Sequence, residues 1–283
     1  MKILVTGSNG QLGQCLQKHA KSLSSFDFKF ETLDSLNLTQ EERLNLYFEK
    51  HQPDFCVNCA AYTNVEAAED SENLAFQVNA EAVHNLAKLC EKFKTKLIHI
   101  STDYVFDGLK NRPYQESDKE NPINVYGASK FQGETHISST MDTYFMLRTS
   151  WLYSEFGHNF FNTILKKAAG LHPLNITTEQ IGTPTNANDL AKFILHLIQT
   201  DSTDYGLYHY SNKGEATWYD FARLILEEKN LGQAISLQAT FSYPTKAKRP
   251  KFSVLDKSKA LSTFDMEIPH WRESLVNLLK EMG

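Results

Sequence analysis

Three evenly spaced glycines, Gly7-Ser-Asn-Gly10-Gln-Leu-Gly13, stand between an apolar run, Ile3 to Thr6, and a segment from Gln11 to Lys21. In that segment Leu12, Leu16 and Ala20 recur at helical spacing, so a strand feeds a helix through a glycine turn. Few folds begin this way. A pyrophosphate needs a tight turn, a close backbone approach and a helix amino terminus with free N–H groups, and Gly7, Gly10 and Gly13 serve these needs in turn. The triplet alone is a weak mark, because turns collect glycine for conformational reasons. Asp34 strengthens it: it lies 21 residues beyond Gly13, at the expected end of the next strand, where a carboxylate can accept hydrogen bonds from an adenosine ribose.

The rest of the chain repeats that unit. Phe28 to Leu33 alternates as a strand ending at Asp34, and Thr39-Gln-Glu-Glu42 opens like a capped helix running to Lys50. Phe55 to Ala60 predicts a buried strand. A long helix starts at Ser71 with Leu74, Val78, Val83, Leu86, Leu89 and Cys90 inward, and Lys96 to Ser101 is a further strand. A helix from about Tyr126 to Ser138 and a strand from Tyr144 to Thr149 continue the alternation. Strands separated by helices of this length predict an α/β fold, a doubly wound parallel sheet of Rossmann-like type covered on both faces. Beyond Trp151 the pattern loosens. Helices are expected at 159–169, 188–199, 217–229 and 271–282, and strands at 173–177, 206–210 and 235–241. The expected division is a dinucleotide-binding domain over 1–150, to which parts of 182–208 return, and a smaller mixed α/β substrate lobe over 151–283.

Composition narrows the partners. The 283 residues carry 29 basic and 34 acidic side chains, a formal charge of −5, so neither nucleic acid nor an anionic membrane finds a basic footprint. No apolar run approaches the roughly 18 residues of a membrane span, and the first glycine turn comes too early for a secretory leader, which predicts a cytoplasmic protein. Cys56 and Cys59 lie in an apolar strand with no second cysteine pair downstream, so the four cysteines read as buried reduced thiols and no metal site is expected.

A second constellation is Tyr126-Gly-Ala-Ser-Lys130, which places a phenol and an ammonium on one helix face. A lysine beside a tyrosine lowers the phenol's pKa from about 10 and makes it a usable proton donor and acceptor. The spacing carries no weight by itself. Its placement does, since the helix opens shortly after Ser101-Thr102 at the carboxyl end of a strand, and such ends line the ligand crevice of an open α/β sheet. The remaining histidines, His99 and His158 among them, have no partner pattern and read as structural.

The glycine turn with Tyr-x-x-x-Lys resembles the short-chain dehydrogenase/reductase superfamily, in its extended form. Within it the chain is similar to the dTDP-4-dehydrorhamnose reductase family. The segments that carry this likeness are Asn58-Cys-Ala-Ala-Tyr-Thr63, Ser101-Thr-Asp-Tyr-Val-Phe-Asp-Gly108, Arg148-Thr-Ser-Trp-Leu-Tyr153, Gln180-x-Gly182-x-Pro184-Thr185 and Arg249-Pro250. The resemblance implies reduction of the C4 carbonyl of dTDP-4-dehydro-β-L-rhamnose by NADH or NADPH. It assigns proton donation to Tyr126, the nicotinamide ribose to Lys130, the substrate carbonyl to Thr102, and support of the lysine through water to Asn79. It places Asn9, Gly10, Gln11 and Leu12 around the pyrophosphate, Asp34 and Ser35 at the adenosine ribose, and Asn37 and Leu38 at the adenine. Ala60, Ala61, Tyr62 and Thr63 fall to the nicotinamide half. Leu36 to Leu38 becomes a short extra strand. Asp103, Trp151 and Arg249 fall on the sugar-nucleotide side, Trp151 as an aromatic wall and Arg249 as a fork for the pyrophosphate.

The family pattern is not met everywhere. Cys15 stands where bacterial members often carry a glutamate, which weakens any metal-assisted dimer, although a homodimer stays open. Thr102-Asp103-Tyr104 lacks the second acid of the dehydratase relatives. Two alternatives remain: another sugar-nucleotide reductase or epimerase, and a non-catalytic regulatory subunit of methionine adenosyltransferase. Asp34 repels a 2′-phosphate, Ser35 offers no cation, and Lys29 points away, so NADH is expected to serve at least as well as NADPH.

Overall fold

The computed structural model describes residues 1–283. β1 (Lys2–Thr6) passes through the glycine turn into α1 (Gln11–Ala20), and β2 (Asp27–Phe30) is followed by α2 (Glu41–His51). β3 (Phe55–Asn58) leads into α3 (Val65–Ala68), then α4 (Glu72–Phe76), a π-helical turn over Gln77–Glu81, and α5 (Ala82–Phe93). β4 (Lys96–Thr102), α6 (Val125–Thr140) and β5 (Tyr144–Thr149) complete the first half. The second half runs through β6 (Leu152–Tyr153), α7 (Phe160–Ala169), β7 (Leu174–Thr177), β8 (Ile181–Gly182), β9 (Thr185–Asn186) and α8 (Ala187–Gln199). It ends with β10 (Gly206–His209), β11 (Ala216–Thr217), α9 (Trp218–Glu228), β12 (Leu237–Thr240), α10 (Ser258–Thr263) and α11 (Trp271–Glu281).

Six strands form one parallel sheet in the order β10-β5-β4-β3-β1-β2. The order reverses between β1 and β3, and there the ends of neighbouring strands part to leave a crevice. Ile3, Val5, Val57 and Ile98 pack with α1 and α8 on one face, while Leu4, Cys56 and Leu97 pack with α2, α5 and α6 on the other. A separate core joins α7, α9 and α11, with Phe161, Phe221, Ile225 and Trp271 at its centre. β10 comes from the later half of the chain and pairs with β5 from Gly206↔Phe145 to His209↔Arg148. No helix is long and apolar enough to cross a membrane.

Four expectations change. β2 stops at Phe30, because the Ser35 hydroxyl accepts from the Thr32 N–H at 2.9 Å and the Leu36 N–H closes on Thr32 O at 2.9 Å, a turn that takes the chain off the sheet. Asp34 is therefore an exposed turn residue and does not end the strand. Leu36 to Leu38 is not a strand: Leu36 and Leu38 enter the core beside Leu44 and Phe48 from a loop, and β3 lies directly against β1. α2 has no side-chain cap, since Thr39 turns its hydroxyl to Asn37 instead. The π turn, one residue wider than an α turn, shifts the register of the long helical stretch and leaves Leu74 44% exposed where helical spacing had it inward.

Candidate active site

A cavity of ≈ 970 Å³ opens over the carboxyl ends of β1, β3 and β4. Its floor is the glycine turn. Gly7 has φ +62°, and a Cβ there would lie 2.6 Å from Ala60 N, while one on Gly13 would lie 2.5 Å from Ser8 Cα. Only glycine allows this close crossing of the two strand ends and the seating of α1 on the turn. Gly10 begins α1 without a side-chain cap, so its first N–H groups face the cavity as the donor set an anion requires. These features fit a dinucleotide.

Of the residues singled out in the sequence, Gly7, Asn9, Gly10, Gln11, Leu12, Gly13, Asn37, Leu38, Ala60, Ala61, Tyr62 and Thr63 line this cavity. So do Thr102, Asp103, Tyr126, Lys130, Trp151 and Arg249. Asp34 and Ser35 do not, and Leu33, Leu36 and Thr39 form that end of the wall with Asn37 and Leu38. Asn79 is fully buried behind the wall. Its amide accepts from Tyr62 N at 2.8 Å and donates to Tyr62 O and Ser129 Oγ at 3.0 Å each. Asn79 thus clamps the loop after β3 to α6, and its direct protein partners are Tyr62 and Ser129, with no bond to Lys130.

Asn124 caps α6 by accepting from Gly127 N at 2.7 Å, which sets Tyr126 in the first turn and Lys130 one turn on. The helix is braced from behind: the guanidinium of buried Arg148 donates to Glu134 through both Nε and Nη2, and Ser101 Oγ donates to the same carboxylate at 2.5 Å. Thr102 accepts from Tyr104 N at 3.1 Å and donates to Asp103 Oδ1 at 3.1 Å. Asp103 is buried, with Oδ2 unpartnered, and burial outweighs the Ser253 and Thr102 hydroxyls to push its carboxyl up to about 7.

The phenol of Tyr126 behaves differently from the expectation. Burial pushes it up to about 12, with the neighbouring Thr102 hydroxyl opposing, and Lys130 does not lower it. The physical cause is the direction of the amine. Lys130 Nζ donates to Ile100 O at 2.7 Å and lies 3.3 Å from His99 Nε2, and burial drives the ammonium down to about 8. His99, read as structural from sequence, is thus in contact with a site residue, and His158 is exposed on the cavity wall. Cys59 also lines the cavity and is only half-buried, unlike the buried Cys15, Cys56 and Cys90.

On the opposite wall Trp151 adopts φ 45°, a strained conformation for a bulky residue, and stacks on Trp218 with centroids 3.7 Å apart and planes 8° apart. Gly182 makes room for it, since a Cβ there would meet the indole at 2.6 Å. Trp218 escaped sequence reasoning. The capping box of Thr217 and Asp220 marks the start of α9, but no local signal shows which wall the following indole faces. Arg249 extends one nitrogen to Glu66 Oε1 at 2.8 Å and keeps its Nε buried without a partner. The cavity therefore combines a backbone turn suited to a phosphate, two hydroxyls beside a buried lysine, and an aromatic wall with a cation.

Comparison with known proteins agrees over the whole length. A family model described as RmlD substrate binding domain matches residues 1–283. The chain is 37% identical to the spore coat polysaccharide biosynthesis protein SpsK of Bacillus subtilis, covering 99% of this chain and 97% of that protein. It is 33% identical to a dTDP-4-dehydrorhamnose reductase of Aggregatibacter actinomycetemcomitans, covering 98% of each. The crystal structure of a dTDP-4-dehydrorhamnose reductase from Bacillus anthracis in complex with NADP superposes with a TM-score of 0.94 at 34% identity, covering 99% of both chains.

Proposed function

This chain belongs to the dTDP-4-dehydrorhamnose reductase family, and from that membership we propose that it reduces the C4 carbonyl of dTDP-4-dehydro-β-L-rhamnose to give dTDP-L-rhamnose. It is a nicotinamide-dependent oxidoreductase, and the reduced cofactor supplies the hydride. The observation that supports this reading best is the meeting of Thr102 and Tyr126 at the end of β4, between the glycine turn and the Trp151 wall. A phenol held near 12 keeps its proton at neutral pH, which suits a donor to the oxygen of a carbonyl becoming an alkoxide. Thr102 adds a hydrogen bond to the same oxygen as charge develops on it.

The glycine turn, Asn9, Gln11 and Leu12 hold the pyrophosphate, Asn37 and Leu38 the adenine end, and Ala60 to Thr63 with Lys130 the nicotinamide end. Trp151 packs on the sugar, and Arg249, exchanging Glu66 for phosphate, takes the nucleotide with Asp103. Residues 1–150 with the returning β10 form the cofactor half, and the rest mainly the sugar-nucleotide half. NADH serves at least as well as NADPH, because the adenosine end of the wall, Leu33, Leu36, Asn37, Leu38 and Thr39, carries no cation. The nearby Arg43 is exposed and directed to Gln40 Oε1 at 2.9 Å and Ser35 O at 3.4 Å.

The test supplies the 4-keto sugar nucleotide with NADH or NADPH, follows nicotinamide oxidation and identifies the product. Formation of dTDP-L-rhamnose is expected. Folded protein that binds the cofactor yet leaves authentic substrate unchanged overturns the reading.

A further inference from the structure

A buried polar chain runs beneath the cavity from β1 to α6 and ends at Lys130. Asn58 Oδ1 accepts from Thr6 Oγ1 at 2.7 Å and from the Ala60 N–H at 3.2 Å. A backbone N–H can only donate, so the orientation of the Asn58 amide is determined, and its Nδ2 is the group that faces His99 Nδ1 at 3.0 Å. His99 Nδ1 must then accept. The ring is fully buried, and desolvation holds it well below the usual histidine range, so it is neutral, and its one proton sits on Nε2. That N–H points at Lys130 Nζ, 3.3 Å away. An ammonium has three donors and no acceptor, so it would meet the imidazole donor to donor, whereas a free amine accepts from Nε2–H through its lone pair and still donates to Ile100 O.

We propose that His99 is a positioning residue for Lys130: Asn58 locks the imidazole with its proton on Nε2, and this donor favours the amine form of Lys130 and directs it to β4. The inference rests on the reading of Lys130 as part of the active site, and it adds a determinant of when that lysine carries charge. The other titratable groups around Lys130 are Glu134 and Tyr126 on its own helix and Cys59 after β3. Glu134 favours the ammonium but is engaged by Arg148 and Ser101, and desolvation holds the half-buried Cys59 thiol neutral. His99 is therefore the neighbour with a donor committed to the amine.

Two nuclear magnetic resonance measurements test this without depending on turnover. In protein with ¹⁵N-labelled histidine, assigned by the signals lost in His99→Gln, the ring of His99 is expected to show a bare Nδ1 and a protonated Nε2. The opposite tautomer in the unaltered protein overturns the proposal, and through-bond correlation of the His99 ring to its own backbone gives the same assignment if the variant does not fold. In protein with labelled lysine, assigned through Lys130→Met, the Lys130 titration is expected to rise by one pH unit or more in His99→Gln, because the glutamine carbonyl can accept from an ammonium. The pH profile of kcat/KM should move with it while NADH still binds. An unchanged Lys130 titration in a folded His99→Gln overturns the proposal, whereas full turnover by Lys130→Ala would overturn the catalytic assignment and leave the tautomer result standing.

Discussion

Tyr126 carries its proton well past neutrality because burial desolvates the phenolate, and the amine one turn away is directed elsewhere. Tyr126→Phe keeps the ring edge against Tyr104, whose plane lies 76° away, but removes the donor. Its kcat should fall by about 10²–10⁴ while NADH binding persists, measured by steady-state turnover and by cofactor titration. A rate near wild type would remove Tyr126 from the acid role. At the adenosine end the charged side chains Asp34 and Arg43 are exposed, so their selectivity is small. Asp34→Ala should move the kcat/KM ratio toward NADPH and Arg43→Ala toward NADH, each by about two- to fivefold, since exposed charges contribute about 0.2–1 kcal/mol. Opposite or absent shifts would exclude these two residues from cofactor choice. Trp151→Ala removes an aromatic face and should raise the KM for the sugar nucleotide roughly threefold to tenfold, with little change in the KM for cofactor. A cofactor defect alone would move Trp151 out of the sugar site.

At the scale of elements, the site depends on how closely α6 meets the π turn before α5. Gly133 is the contact point, where a Cβ would come within 2.2 Å of Asn79 O. Asn79 in turn holds Tyr62 and Ser129. Gly133→Ala should therefore push α6 away, lowering stability by about 1–3 kcal/mol and Tm by several degrees. It should also lower kcat, because Tyr126 and Lys130 ride on that helix. Calorimetry and turnover check both, and an unchanged Tm would show that the helices separate freely. The elements themselves were largely legible. β5 occupies Tyr144–Thr149 as its apolar run predicts, and α7, α8, α9 and α11 fall within a residue or two of their periodic segments. The π turn was not legible, because Gln77 to Glu81 reads as ordinary helix and the wider turn is recovered only through Asn79 bonding across to another element. The end of β2 was missed for a similar reason: a serine hydroxyl replaces the ladder bond that alternation predicts.

For the whole molecule, β10 carries His209 into the sheet beside Arg148, where Nδ1 donates to Tyr114 O at 3.0 Å and Nε2 is buried without a partner. Burial and the Arg148 charge drive its native pKa down to about 3, whereas an unfolded histidine titrates near 6.5. Below about pH 6.5 the unfolded chain takes up a proton that the native state refuses, so this residue removes stability as pH falls toward 3 and contributes no slope above that window. His209→Gln should lose that contribution. The stability gap between wild type and variant should shrink by about 1.4 kcal/mol per pH unit between 6.5 and 3, read from denaturant unfolding at several pH values. A gap independent of pH would show that His209 titrates in the native state. The sequence by itself determined what neighbouring residues decide: the glycine turn that opens α1, the period of the helices and parallel strands, and the Tyr126–Lys130 spacing. Only the tertiary structure decided that Asp34 stays outside the cavity wall, that Trp218 stacks on Trp151, that β10 pairs with β5 at the sheet edge, and that Lys130 meets a histidine whose tautomer is set by Asn58. Those outcomes depend on which groups far apart in the chain exclude water from one another, and backbone propensity and hydrophobic period carry no information about that pairing.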